Sequence, residues 1–222
     1  MNFAKISLWK LQNLLWERRL GISTRGKNDR LVPGTACYMT LPYATIFAIL
    51  KKISLTPSDV VLDIGCGKGR MICCAALFPV REVIGIEHSP ELCANAAQNA
   101  SRLRHKCSPI TIKNERAEHF DFGGINVFYF YNSFGPPLLD EVLARIERAL
   151  QDNPRPIRFI YANPVHEASL KACSWLEQFD EISPLQSRSM AVRVTFWRSR
   201  PAAYGAGSAN EAGARRRWQN SA

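Results

Sequence analysis

Long apolar runs are missing from this chain. No segment approaches the roughly 18 to 20 continuous apolar residues that a membrane-spanning helix requires. The longest stretches, MICCAALFPV and INVFYFY, suit buried elements of a core. Also missing is any C-x-x-C pair among the seven cysteines (Cys37, Cys66, Cys73, Cys74, Cys93, Cys107 and Cys173). An odd number of thiols, several in apolar surroundings, fits reduced cysteines packed as small hydrophobes rather than a disulfide framework. The four histidines, His88, His105, His119 and His166, share no ligand spacing with one another or with a cysteine, so no metal is expected. The first 20 residues scatter Lys5 and Lys10 among apolar side chains and show no small-residue cleavage site, a poor match to a secretory leader. A cytoplasmic protein is the expectation.

Charge is unevenly spread along the chain, whose formal net charge is +10. Residues 1–30 hold seven cations (Lys5, Lys10, Arg18, Arg19, Arg25, Lys27 and Arg30) against Glu17 and Asp29. Residues 198–222 hold five (Arg198, Arg200, Arg215, Arg216 and Arg217) against Glu211, which leaves the middle close to neutral. A grip on nucleic acid belongs more often to the folded body. This distribution therefore argues against a nucleic-acid partner and reads as solvated basic ends. The 46% hydrophobic and 22% charged composition is that of an ordinary globular protein. A length of 222 residues suits one well-cored domain with extensions.

Residues 3–20 place Phe3, Ile6, Leu8, Leu11, Leu14, Leu15 and Trp16 near helical spacing. That predicts a leading amphipathic helix whose apolar face covers part of a sheet. GISTRGKNDRLVPGT is punctuated by Gly and Pro and reads as a loop. A helix over 42–53 is stopped by LTPSD. From there strands and helices alternate. DVVLDI, EVIGIE, ITIK, INVFYFY, IRFIYAN and SMAVRVTFWR read as strands. RMICCAALF, SPELCANAAQNASRLR, PPLLDEVLARIERAL and VHEASLKACSWLEQF read as helices, the second opening with Ser89 as N-cap, Pro90 at the first helical position and Glu91 in the first turn. Such alternation implies right-handed crossovers and an α/β fold, a doubly wound, mostly parallel sheet with helices on both faces. After Pro201 the chain is rich in Ala, Gly and Ser without an apolar period. The resulting plan is a helix and loop over 1–34, one domain over 35–200, and a disordered basic tail over 201–222.

In open α/β sheets the ligand sits beyond the carboxyl ends of the strands. Gly65, Gly67 and Gly69 lie there, in VLDIGCGKGR, directly after the first strand. Asp63 stands at that strand's end, placed to anchor the loop or orient a ligand amine. The dinucleotide fingerprint is G-x-G-x-x-G/A. Here the pattern is G-x-G-x-G, and Arg70 occupies the position that wants Gly or Ala. Glu87 ends the second strand 20 residues after Gly67, where a carboxylate can take both hydroxyls of a ribose.

VLDIGCGKGR followed by VIGIEHSPELCANAAQNA resembles the first two motifs of the class I S-adenosylmethionine-dependent methyltransferases, across about residues 35–197. The likeness extends to a subgroup whose fourth strand ends in YNPFG and, more distantly, to the non-SET histone lysine methyltransferases. It implies a Rossmann-like fold, S-adenosyl-L-methionine as cofactor and methyl transfer as the reaction. Carried over by residue, it implies that Asp63, Gly65, Gly67 and Gly69 line the methionine half of the cofactor. Glu87 would hold the ribose and His88 would lie beside the adenine. NERAEHFDF places Arg116 where an aspartate is common, so the backbone of Arg116 and Ala117, or Glu118, would meet the adenine instead. CYMTLPY corresponds to the segment ahead of the sheet, making Tyr38, Thr40 and Tyr43 lid candidates, with packing the alternative for either tyrosine.

FYFYNSFGPP ends the fourth strand at the same crevice. A nitrogen nucleophile needs acceptors that hold its N–H groups and aim its lone pair in line with the methyl–sulfur bond. The Asn132 side-chain oxygen and the Tyr131 carbonyl suit that task, with Phe134 as an apolar wall. This resembles the Asn-Pro-Pro-Tyr and NPFG motifs, although Ser133 replaces the proline. The competing reading is that Asn132 or Ser133 caps the helix begun by Pro136 and Pro137. His88 and His119 are bases by residue type only. The expected activity is methyl transfer to a nitrogen on a protein side chain. Alternatives are a small-molecule acceptor, a nicotinamide-dependent oxidoreductase or a non-catalytic cofactor-binding module.

Overall fold

The computed structural model describes residues 3–25, 39–183 and 192–204. Helix α1 (Phe3–Leu20) and helix α2 (Tyr43–Lys52) precede strand β1 (Val60–Ile64). Then follow α3 (Arg70–Ala75), β2 (Glu82–Glu87), α4 (Pro90–Arg102), β3 (Ile110–Asn114), β4 (Val127–Tyr131) and α5 (Pro136–Asp152). The chain closes with β5 (Arg158–Ala162), α6 (Glu167–Ala172), β6 (Leu176–Ile182), β7 (Val194–Ser199) and a 3-10 turn over Pro201–Tyr204. No described helix is long and apolar enough to cross a membrane.

The strands form one sheet in the order β3-β2-β1-β4-β5-β7-β6. The first five run parallel, and β7 runs antiparallel to both of its neighbours. Every residue of β1 is buried, because helices cover both faces of a parallel sheet. Alternate residues therefore feed two cores. Val61, Val83, Val127 and Ile160 face α2 and α3, while Leu62, Ile84, Phe128 and Phe159 face α5. Cys66, Cys73 and Cys74 are buried thiols of the first core, and burial pushes the Cys73 thiol up to about 12, keeping it protonated. Cys37 lies outside the described residues.

Two helix readings of the sequence are corrected. VHEASLKACSWLEQF is helical only over Glu167–Ala172, and its second half is β6. The apolar residues Trp175, Leu176 and Phe179 satisfy a helical spacing, but a ladder to β7 was open at the sheet edge, with a bulge between Gln178 and Asp180. Tertiary pairing of this kind overrides local preference. RMICCAALF likewise leaves the α-helix after Ala75: the Ala76 amide still reaches Ile72, four residues back, but the next two return three residues back (Leu77 to Cys74, Phe78 to Ala75). The strand read as SMAVRVTFWR begins at Val194, with 184–191 outside the described residues. The first four residues of the expected tail form the 3-10 turn, and 205–222 lie outside the description.

The leading helix expected from the sequence is present over Phe3–Leu20. It is part of the folded body, and its contacts are with α2 as well as with the helices beside the sheet. Trp16 packs on Tyr43 and Phe47, with ring centroids 6.3 and 4.7 Å apart. Asn13 Oδ1 accepts the Tyr43 amide at 3.2 Å. Leu11 and Leu15 remain 51% and 57% exposed.

Beneath α1 lies a buried polar cluster. Glu17 and Arg70 are only 3% and 4% exposed. Arg70 Nε donates to Thr24 Oγ1 at 2.7 Å, Nη1 to the Leu41 carbonyl at 3.0 Å, and Nη2 reaches Glu17 Oε1 at 3.4 Å. The guanidinium lies 4.5 Å from the centroid of the buried Tyr43 ring, a cation–π contact. Thr24 donates to Glu17 through both its amide (2.9 Å) and its hydroxyl (3.0 Å), so the Tyr43 hydroxyl, 3.1 Å away, is the donor to Thr24. Burial raises the Tyr43 phenol and keeps that proton in place. Residues 22–25 are held down further along. Ser23 exchanges two hydrogen bonds with Asn99 of α4, and Lys68 Nζ donates to the Arg25 carbonyl at 3.0 Å.

Removing one partner of a buried ion pair leaves the other charge uncompensated, at a cost of about 3–5 kcal/mol. Glu17→Ala is therefore expected to lower unfolding free energy by about that amount in urea titration. A loss below about 1 kcal/mol, the value of an exposed pair, would show that the cluster contributes little.

Candidate functional site

The strand tips on the carboxyl side of the sheet converge on residues 65–69. Gly65 and Gly69 have φ of 78° and 81°, in the left-handed region that favours glycine. Space as well as torsion demands it. A Cβ on Gly65 would lie 2.8 Å from Ser133 Oγ, and one on Gly69 would lie 3.2 Å from the Ala96 Cβ of α4. At these two positions the room left by the missing side chain is taken by the protein itself. The amides of Gly65 and Cys66 both donate to the Ile86 carbonyl at 2.9 Å, which folds the loop over β2.

Glu87, buried at the tip of β2, joins that loop to its own strand. Its Oε2 accepts the Gly67 amide at 3.0 Å, while Oε1 accepts the Ser89 amide at 2.9 Å and lies 3.1 Å from His88 Nδ1. His88 itself is exposed beside the crevice. The third tip is tied in by Asn114, whose amide donates to the carbonyls of Glu87 (2.8 Å) and His88 (3.0 Å). The Glu115 amide donates to the Glu87 carbonyl as well, so Arg116 and Ala117 follow directly beyond this corner. The Arg116 side chain is exposed and paired with Glu118, whereas Ala117 packs on the core below.

Asp63 is buried on the face of β1 that carries Val61, and none of the described residues donates a hydrogen bond to its carboxylate. Burial pushes its pKa well above the ordinary carboxylate range, and the Glu87 charge adds to the rise. The same two carboxylates, after burial, raise the Cys66 thiol. Two buried acids with no cation facing them among the described residues make this corner a receptor for positive charge.

The tip of β4 approaches from the other side. Asn132 has a φ of 42°, unusual for a residue with a side chain. Ser133 Oγ donates to the Ile64 carbonyl at 2.9 Å, which binds the β4 turn to the end of β1. The cap of α5 is Gly135, with no side-chain cap bond, so neither Asn132 nor Ser133 performs that task. Phe134 is half-buried and stacks on Phe130, centroids 6.3 Å apart. Tyr131 is half-buried, and burial raises its phenol. Asn132 Oδ1 accepts a bond of 3.5 Å from the Tyr161 hydroxyl of β5.

The structure thus brings Asp63, Gly65, Gly67, Gly69, Glu87 and His88 to one corner and Tyr131, Asn132 and Phe134 to the adjacent tip. Thr40 is half-buried just ahead of Leu41, the carbonyl of which holds Arg70. Tyr43 belongs to the buried cluster and has no lid position, while Tyr38 lies outside the described residues. His119 is exposed on the turn after β3. Sequence reasoning passed over Tyr161 and Asn163. The signal was the repeated strand ending Tyr131-Asn132 and Ala162-Asn163, both asparagines being left-handed.

Residues 61–153 match the family model described as a methyltransferase domain. No curated protein sequence matches the chain. Among solved structures it is similar to an RNA methyltransferase from Salinibacter ruber in complex with S-adenosyl-L-homocysteine, at 17% identity over 72% of this chain and 94% of that one, TM-score 0.51. It is also similar to the magnesium protoporphyrin IX methyltransferase from Synechocystis PCC 6803 with bound SAM (15%, 71% and 79%, TM-score 0.55). A third is a ribosomal protein L11 methylase from Lactobacillus delbrueckii subsp. bulgaricus (14%, 71% and 78%, TM-score 0.54). At these identities the shared property is the fold.

The raised Asp63 pKa has a consequence for stability. The folded state holds the proton more tightly than the unfolded chain, so this residue's contribution falls as pH rises from about 3.9 towards its folded value. Asp63→Asn, free of that titration, is expected to match wild type in melting temperature near pH 4 and to exceed it increasingly towards neutrality. A difference independent of pH would contradict the assignment.

Proposed function

We infer residue roles and an acceptor class for what is, by domain and fold, a class I S-adenosylmethionine-dependent methyltransferase: the loop over 65–69 with Glu87 holds the cofactor, and the β4 tip presents a nitrogen of a protein side chain. The residues at the first corner fit the cofactor. Buried Asp63, with no donor among the described residues, suits the positive methionine end. Glu87 uses protein donors on both oxygens, and each oxygen keeps lone-pair capacity for a ribose hydroxyl. His88 and the backbone of Arg116 and Ala117 border the place left for the adenine. When bound, the cofactor supplies a methyl group activated by a positive sulfur.

The chain's own share is alignment and exclusion of water. Asn132 Oδ1 and the Tyr131 carbonyl accept the N–H bonds of a neutral amine, which aims its lone pair at the methyl carbon. Phe134, backed by Phe130, forms the dry wall. The carrying observation is Asn132 itself, held in a left-handed turn at the crevice while Gly135 caps α5. The methyltransferase domain sets aside the nicotinamide-dependent alternative.

Incubation of cell lysate with the enzyme and labelled S-adenosylmethionine, followed by fractionation, is expected to place label in protein. Asn132→Ala is expected to reduce transfer about 100-fold, comparable to removing one preorganised polar contact to the reacting centre, with S-adenosylhomocysteine binding retained. Unchanged transfer would defeat the role of Asn132. Label confined to small metabolites would move the acceptor to that class.

One observation favours a second reading, a nitrogen carried by nucleic acid. Arg18 and Arg19 of α1 are exposed, as are Arg102, Arg104 and Lys106 around the end of α4. None of the five forms an ion pair with a described residue. The two helix ends touch, Arg104 donating through its amide to the Leu20 carbonyl and through Nη1 to that of Arg18. Cations assigned from sequence to a solvated end therefore stand on the folded body. Label in the RNA fraction, with RNA affinity falling steeply with salt and weakened by Arg102→Ala and Arg104→Ala, would favour this reading. Salt-insensitive, weak RNA binding would remove it.

A further inference from the structure

We propose that Tyr161 of β5 is a positioning residue that sets which end of the Asn132 amide faces the crevice, a role that rests on the reading of Asn132 as the amine-holding residue. The two ends of an asparagine amide are nearly isosteric but opposite in hydrogen bonding, one oxygen accepting and one NH2 group donating. An amine nucleophile is held only by the oxygen. Presented the other way, the amide would set its own N–H groups against those of the amine. Something must choose, and the Tyr161 hydroxyl is in place to do so.

Its ring is fully buried and packs against Phe130, centroids 4.2 Å apart, on residues that face one another across the β4–β5 ladder. Only the hydroxyl proton is left free to turn. The His166 amide donates to the Tyr161 oxygen at 3.1 Å. The hydroxyl's own proton then requires an acceptor, and Asn132 Oδ1 stands 3.5 Å away. Burial raises the phenol while the His166 bond opposes the rise, so the net effect preserves a donor at neutral pH. The bond is long at 3.5 Å, and polar contacts of a site commonly tighten only when they close on a ligand. One lone pair of Oδ1 is spent on Tyr161, which leaves the other for an N–H of the nucleophile. The backbone supports the arrangement, because Asn132 and Asn163 adopt the same left-handed torsion at adjacent tips, φ 42° and 52°, and the Asn163 amide is fixed by the Arg193 carbonyl at 2.9 Å.

The test needs no knowledge of the acceptor. Sinefungin carries an ammonium group where S-adenosylmethionine carries its methyl sulfonium, whereas S-adenosylhomocysteine has nothing there. The ratio of their dissociation constants, measured by calorimetry, reads the acceptor oxygens at the methyl position. Tyr161→Phe keeps the ring and removes the hydroxyl. It is expected to leave S-adenosylhomocysteine affinity within about twofold and to weaken sinefungin about tenfold, the loss of one hydrogen bond to a charged group. Asn132→Ala is expected to weaken sinefungin at least as much, and Tyr161→Phe to add nothing further in that background. An unchanged ratio in Tyr161→Phe alone overturns the proposal and leaves the role of Asn132 standing. An unchanged ratio in Asn132→Ala overturns both. Equal loss of both ligands in Tyr161→Phe, or additive losses in the double variant, would mean a general packing role and overturns the proposal.

Discussion

The hydrogen bond from the Gly67 amide to the Glu87 carboxylate, 3.0 Å long, joins the ends of the two strands on which the proposed site is built. A carboxylate as deeply buried as Glu87 costs several kcal/mol unless donors surround it. Here the Gly67 and Ser89 amides supply them. The same charge organises its surroundings in the opposite sense. It helps to hold Asp63 towards its protonated form and the Cys66 thiol uncharged. The corner is therefore satisfied along its protein edge and electrostatically unbalanced along its open edge. That imbalance is the physical content of the proposal that a sulfonium nucleoside with a cationic amino acid end occupies it.

A second constraint keeps the loop in register. Arg70, one residue past the last glycine, turns its guanidinium away from the crevice into the cluster with Glu17, Thr24 and Tyr43. The start of α3 is thus anchored to α1 and α2, and residues 22–25 lie against Lys68 and Asn99. The N-terminal helix packs against the start of α3, next to the proposed site, and also carries surface charge.

Much of this was legible along the chain. β1, β2 and their tips could be placed because a parallel strand covered on both faces is a near-continuous apolar run, and the residues that follow it fall at the crevice by topology alone. Asp63, the three glycines and Glu87 are of that kind. What stayed hidden depends on partners far away in sequence. Glu17 reads as one more helical acid until Arg70, 53 residues on, is seen against it. β6 reads as helix until β7 offers it a ladder. Ser133 looked like a missing proline, yet its hydroxyl reaches the Ile64 carbonyl and occupies the space left by Gly65. Tyr161 lies inside an apolar strand and carries no local mark of its contact with Asn132. The charge of α1 was legible in amount but not in place, since only packing reveals that it stands beside the end of α4.

The most direct test of the central claim is a crystal structure of the chain grown with S-adenosylhomocysteine. The account predicts both ribose hydroxyls within about 2.7 Å of the Glu87 carboxylate oxygens, with the Gly67 amide still donating to the same group and the amino acid end beside Asp63. A nucleoside bound elsewhere, or a Glu87 side chain rotated away from the sugar, would contradict it.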